Sequence, residues 1–234
     1  MGDRELMRRG AITFLDVIGW KRIWQRMDDA VERLERLDKF AEAIGESIQK
    51  GRFQRLSQQG LEPKIQGLSD TIAIITMSES PLLVLELHAE IAAMLIVDSI
   101  IAGIPLRGAT AYGQFHLTEN NYILVGPAVD DVGDWFESFR MIGVIHAPSA
   151  DEELNKGSFK RPHLLVDYPI PTKSAAPIKA HSVNWPHRWQ LSQKRREDLN
   201  RLLLDMEGQA QEQDKLIYQN TIAFYDHVLC RSSR

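Results

Sequence analysis

Two aspartates, Asp16 and Asp70, stand where a chain could do metal chemistry. Asp16 closes the apolar run Ala11-Ile-Thr-Phe-Leu-Asp16 and is followed by Val17, Ile18 and Gly19. Asp70 sits in a tight junction, Leu68-Ser-Asp70-Thr71, before another run of strand formers. Strand ends on one edge of a sheet can bring two carboxylates together. At about 4–6 Å the pair repels, and a divalent cation relieves the repulsion. Two such cations clamp a triphosphate and lower the pKa of an attacking hydroxyl. The N–H groups after Gly19, at the expected start of a long helix, could hold phosphate oxygens. The same residue types also cap helices and form turns, Asp16 as an N-cap and Asp70 in a turn. Spacing alone leaves both readings open.

Other polar residues divide in the same way. Arg107 is either an edge ion pair or a phosphate ligand, and the adjacent Gly108 would allow close approach to phosphate. Asp130 and Asp134 are four apart and share a helix face, as catalytic groups or as partners of the helix dipole. Lys173 and Lys179 read as solvated loop lysines. Gln66, Gln114, Asn120 and Asn121 each carry a side-chain donor–acceptor pair, with nothing to place them in a pocket. The seven histidines are scattered, with no helical metal-ligand spacing.

The elements that must position these groups follow from periodicity. Residues 11–16 read as a strand. From Trp20 to about Lys50 apolar residues recur at helical spacing, with Trp20 and Trp24 as core residues, and Gly51 ends the run. Residues 52–63 read as loop. Two short strands flank Gly67 to Asp70. Pro81 opens a helix that Gly103 closes. Strands follow over 106–116 and 122–125, with a turn at Asn120-Asn121. Gly126-Pro127 starts a helix reaching Met141, then a strand covers 142–146 and a loop covers 147–162. Strands 163–168 and 178–183 come next. A charged helical stretch from Arg188 to about Leu229 has a break at Gly208, and it packs Leu199, Leu202, Leu203 and Met206 inward. This order predicts an α+β, ferredoxin-like, palm-type sandwich: one antiparallel sheet, helices on one face, and a C-terminal helix. The domain division expected is 1–187 for the catalytic unit and 188–234 for a helical extension packed on it.

The bulk numbers exclude several classes. A net charge of −4 with dispersed basic residues gives no field for nucleic acid. One cysteine, Cys230, can form no internal disulfide and no cysteine zinc site. The apolar stretch 91–104 holds Asp98 and is too short to span a bilayer. The N-terminus shows no signal pattern. A cytoplasmic protein without nucleic-acid or membrane partners is expected.

Phe14-Leu-Asp16-Val-Ile-Gly19-Trp20 resembles the first metal-site motif of class III adenylate and guanylate cyclases, and Leu68-Ser-Asp70-Thr71 resembles the second. Leu106-Arg107-Gly108-Ala109 with Gly113 is similar to the strand whose arginine contacts the triphosphate. Val125-Gly126-Pro127-Ala128-Val129 is similar to the segment before the helix that completes a partner's site. All four stand in the family's order. The resemblance implies that Asp16, the Val17 carbonyl and Asp70 bind two Mn²⁺ or Mg²⁺ ions. It implies that Arg107 neutralises phosphate charge and that Gly19 and Trp20 line the phosphate loop. The chain also departs from the family. Leu68 and Ile123 fall at the two purine-reading positions, and Asp130 and Asp134 fall where the family has a transition-state Asn and Arg.

These departures fit a narrower group. Together with the late Asn184-Trp185-Pro186, the chain resembles the Pycsar pyrimidine cyclases of bacterial anti-phage defence over nearly its whole length. That resemblance implies a uridylate cyclase making cyclic UMP from UTP. It also implies a homodimer with composite sites and a separate effector protein that senses the product. A cytidylate cyclase and a non-catalytic nucleotide-binding or dimerisation module remain the alternatives. A dinucleotide cyclase is disfavoured, because the chain lacks the Gly-Gly-Asp/Glu-Glu-Phe turn.

Overall fold

The computed structural model describes residues 7–20, 28–50, 60–68, 70–118, 124–157, 161, 163–174 and 176–232. At its centre lies β1 (Arg8–Val17), buried on both faces along most of its length. A strand covered on both sides needs a near-continuous apolar run, which Ala11 to Leu15 supplies apart from Thr13. β1 pairs antiparallel with β3 (Thr71–Met77) on one side and β4 (Leu106–Leu117) on the other. The sheet order is β2-β3-β1-β4-β6-β8-β7, where β2 is Lys64–Leu68, β6 Gly143–His146, β7 Leu165–Ile170 and β8 Ile178–Val183. β5 (Leu124–Val125) adds to β4 off this path. Every pairing is antiparallel except β4 with β6, and a parallel pair requires a crossover. The helix α3 (Pro127–Trp135) lies on that crossover.

Helix α2 (Pro81–Ile101) is buried on most of its surface, so it reads as apolar all round rather than striped. Pro81 sits in its first turn, and Gly103 (φ +72°) turns the chain away after its end. Where α2 crosses the sheet, Thr13 is resolved by a polar cluster. Its hydroxyl lies 2.8 Å from His88 Nδ1 and 2.7 Å from Thr110 Oγ1, and His88 Nε2 lies 3.0 Å from Thr76 Oγ1. Burial pushes the His88 imidazole down to about 3, so it is neutral. On the opposite face of β1, Phe14 meets Phe136 edge-on at 6.0 Å, just after α3.

Three elements differ from the sequence expectation. The first long helix, α1 (Ala30–Lys50), begins at Ala30 rather than Trp20; Trp20 is non-helical, and residues 21–27, Trp24 included, lie outside the described residues. Residues 52–59 of the expected loop and the turn at Asn120-Asn121 also lie outside them. Helix α3 stops at Trp135, not Met141, because Ser138 turns its N–H and hydroxyl back onto the Trp135 carbonyl and Phe139 bridges to Thr172. Residues 148–156, expected as loop, form α4 (Pro148–Lys156); only Ala150 and Leu154 are buried, four apart, too thin a stripe to show in a polar run.

The C-terminal stretch is three helices: α5 (Trp185–Leu191), α6 (Arg196–Gln209) and α7 (Lys215–Ser232). Asn184 starts α5 by accepting the His187 N–H at 3.1 Å. Gly208 stays inside α6, and the break falls at Ala210 to Asp214. Trp185, Trp189, Leu199, Leu203 and Phe224 bring these helices into the same core as the sheet. Among the described residues no helix is long and apolar enough to cross a membrane.

Candidate active site

The β1–β4 register places Asp16 directly opposite Arg107, and the β1–β3 register places it opposite Thr71. The Val17 N–H donates to the Asp70 carbonyl at 3.1 Å, which ties the β2–β3 junction to the end of β1. Asp16, Asp70 and Arg107 therefore converge at one end of the sheet, by pairing that no local pattern encodes.

Asp16 is 8% exposed. Its carboxylate lies 3.8 Å from the Arg107 guanidinium, yet its pKa is pushed up to about 7. Burial is the largest cause; the Glu137 and Asp70 carboxylates add to it, and Arg107 and Lys173 oppose it. Ionising Asp16 at this end of the sheet thus costs free energy that a bound cation would offset.

Glu137 is the residue that spacing does not reveal. Its carboxylate lies 3.8 Å from Arg107 Nη2 and 3.8 Å from Lys173 Nζ. Its place comes from a strand-like contact between two loops: Lys173 N–H donates to the Ser138 carbonyl at 3.0 Å, and Arg140 N–H to that of Pro171 at 2.8 Å. The C-terminal helix braces this loop, since Asn220 donates to the Arg140 carbonyl at 2.7 Å and Thr221 accepts the Ile142 N–H at 2.9 Å. Lys173 is thereby at the site, as an ion-pair partner rather than only a solvated lysine. Arg107 Nη1 donates to the Phe139 carbonyl at 3.4 Å, while its buried Nε has no hydrogen-bond partner among the described residues. A buried guanidinium with an unused N–H can accept an anion.

The remaining expected residues lie differently. Gly19 takes a left-handed conformation (φ +73°), and Trp20 folds into the turn, its N–H donating to the Val17 carbonyl at 3.3 Å. The residues that would follow as the first turn of a helix, 21–27, lie outside the described residues. Gly19 and Trp20 instead line a cavity of about 50 Å³ with Pro105, Met206, Asp214 and Tyr218, which neither Asp16 nor Asp70 lines. Asp130 and Asp134 share α3 and are both exposed. Gly108 packs closely against β1: a Cβ there would run into the Phe14 carbonyl. Gln66 is half-buried on β2 and Gln114 exposed on β4. Ile123, Asn120 and Asn121 lie outside the described residues, as does Ser69.

The donor set at the sheet end is all oxygen. Among the described residues no three of His, Cys, Asp or Glu form a ready metal cage. A buried carboxylate whose ionisation the nearby Asp70 disfavours fits a hard divalent cation, with open positions left for phosphate or water. The Val17 carbonyl keeps a second lone pair beyond its bond to Trp20.

No protein-family model and no curated protein matches this chain. Solved structures do. A bacterial light-regulated adenylyl cyclase superposes with a TM-score of 0.50 at 10% identity, covering 86% of this chain and 98% of that one. The catalytic core of a rhodopsin-guanylyl cyclase with converted specificity, in complex with ATPalphaS, gives 0.49 at 16% identity, over 75% and 94%. The monomeric guanylyl cyclase domain of the RhoGC fusion protein from the aquatic fungus Blastocladiella emersonii gives 0.48 at 17%, over 75% and 94%. The mixed α+β architecture, with its mostly antiparallel sheet, is the class III cyclase fold.

Proposed function

We propose that this chain is a nucleotidyl cyclase, and more narrowly a uridylate cyclase that converts UTP to 3′,5′-cyclic UMP and pyrophosphate. The observation that carries the reading is the convergence of Asp16, Asp70 and Arg107, with the Asp16 carboxylate held in an electrostatic deficit that a cation would relieve. Asp16, Asp70 and the Val17 carbonyl would hold Mn²⁺ or Mg²⁺, two per site. When bound, these ions supply Lewis acidity to the 3′-hydroxyl and the phosphates.

The chain's own groups supply orientation. The ribose 3′-oxygen attacks the α-phosphorus, the bond to the bridging oxygen of pyrophosphate breaks, and the hydroxyl proton leaves to solvent. Arg107, fixed by Phe139 and pointing an unfilled Nε, receives phosphate oxygens. Lys173 adds a second cation at the mouth. The turn at Gly19 and Trp20 aims the Val17 carbonyl. Asp130 and Asp134, exposed on α3, would complete the site of a second copy, making the unit a homodimer. Leu68 stands where a purine cyclase would read its base, which favours a pyrimidine. The product would act through a separate effector protein in anti-phage defence.

The same exposed acids favour the second reading. An acid where positive charge would be expected beside the leaving group suits a non-catalytic nucleotide-binding or dimerisation module. Incubation with Mn²⁺ and UTP, CTP, ATP or GTP separately, with products identified by mass spectrometry, separates them. Cyclic UMP that disappears in Asp70→Ala supports the proposal. Cyclic CMP moves the base assignment alone. Metal-dependent binding of a non-hydrolysable triphosphate without any cyclic product supports the module.

A further inference from the structure

Arg107 and Lys173 are the two cations beside Asp16, and one carboxylate contacts both. The Glu137 side chain is 49% exposed and reaches in from the loop after α3, while Arg107 is only 11% exposed and anchored at Phe139. Lys173, like Glu137, is about half exposed and free to swing into solvent. The fixed partner is thus the guanidinium, and the movable partner is the glutamate. A planar fork offers two parallel N–H bonds to an oxyanion. Here the Nε side of that fork is buried and unused, and the Nη2 side faces Glu137 and Asp16 at 3.8 Å each. An incoming phosphate that takes both must compete with the glutamate for Nη2.

We infer that Glu137 is a resident stand-in anion. In the nucleotide-free chain it holds Arg107 and Lys173 where polyphosphate oxygens dock, and it must swing out for the polyphosphate to bind. The inference rests on the proposed triphosphate site and adds a gate to it. Glu137 contacts both cations at once, 3.8 Å from Arg107 Nη2 and 3.8 Å from Lys173 Nζ, so the gate is closed by occupancy. Only a highly charged ligand competes with a carboxylate for two cations. The gate therefore discriminates tripolyphosphate from orthophosphate and keeps the cations paired when no substrate is present.

The test is the affinity of inorganic tripolyphosphate, without metal and at low salt, by calorimetry on the full chain. Glu137→Gln keeps the shape and removes the charge. Its affinity should rise about three- to tenfold, the scale of one half-exposed ion pair that the ligand no longer has to break. Glu137→Asp should return it toward the native value. Lys173→Gln should weaken binding, and adding Glu137→Gln to it should recover less than in the native background. Unchanged or weaker binding in Glu137→Gln overturns the gate and makes Glu137 a structural or metal-directed carboxylate. If neither native protein nor Glu137→Gln binds tripolyphosphate, with or without Mn²⁺, the triphosphate site itself is refuted and the gate with it. If both bind equally, the site stands and the gate alone falls.

Discussion

Asp16→Asn should stabilise the metal-free protein above neutral pH, although it destroys a proposed metal ligand. The Asp16 pKa rises from 3.8 to about 7 on folding. Between these values the unfolded chain has released the proton while the folded chain keeps it. Stability therefore falls as pH rises across that window and stays low above it. A shift of roughly 3 units corresponds to about 4 kcal/mol at most. Asparagine removes this penalty but leaves Arg107 with only Glu137 and the Phe139 carbonyl, so about half of the gain is expected to survive. In a chain of this size that is a rise in Tm of about 5 °C at pH 8. His88 and His146, whose pKa values burial pushes down to about 3 and about 4, contribute the opposite slope below pH 6.5. They contribute it equally to both proteins, so the difference in Tm isolates Asp16. The assay is thermal unfolding in chelator from pH 4 to 8.5. The difference should be near zero at pH 4, grow to pH 7 and then level off. At pH 8, Mn²⁺ should stabilise the native protein and leave Asp16→Asn unmoved. A pH-independent difference, or a less stable variant at pH 8 without metal, would refute the electrostatic account.

Three further outcomes follow from named contacts. Arg107→Ala leaves Asp16 and Glu137 facing each other without their shared cation; thermal unfolding at pH 8 should show a loss of about 2 kcal/mol or more, and tripolyphosphate binding should weaken at least tenfold. His88→Ala opens a cavity and strips the Thr13 and Thr76 hydroxyls of a buried partner, so denaturant unfolding should show a loss of about 2–4 kcal/mol. His146 is buried, with neither ring nitrogen hydrogen-bonded among the described residues, 4.0 Å from Asp151. His146→Leu should raise Tm at pH 5 more than at pH 7.5, because the native imidazole resists the proton that the unfolded chain takes up below pH 6.5.

How much of this was legible in the sequence depends on whether a signal was local. Pro81, Gly103 and the β-branched run 71–76 marked their elements because each acts through its own backbone. The match of Ile178–Val183 had the same origin. The end of α3 at Trp135 was not legible, since the loop contact between Ser138 and Lys173 that replaces the helix is made by residues far apart in the chain. The same contact hides Glu137. It follows Asp134 by three residues and looks like one more surface acid, and only the loop contact through Ser138 and Lys173 brings it beside Arg107, which the β1–β4 register sets opposite Asp16. Asp16 and Asp70 were visible as candidates because strand ends show in a sequence. The packing constraint on Gly108 is hidden for a comparable reason: its lack of a side chain answers to the Phe14 carbonyl across the ladder, which sequence order does not display.

The most direct test of the account is a single tube holding the native protein, Mn²⁺ and equimolar UTP, CTP, ATP and GTP, with cyclic products and pyrophosphate quantified together against an Asp16→Asn, Asp70→Asn control. The account predicts cyclic UMP in excess of the other three, equimolar pyrophosphate, and neither in the control. Intact triphosphates in both tubes, from protein that is folded and dimeric, would contradict it.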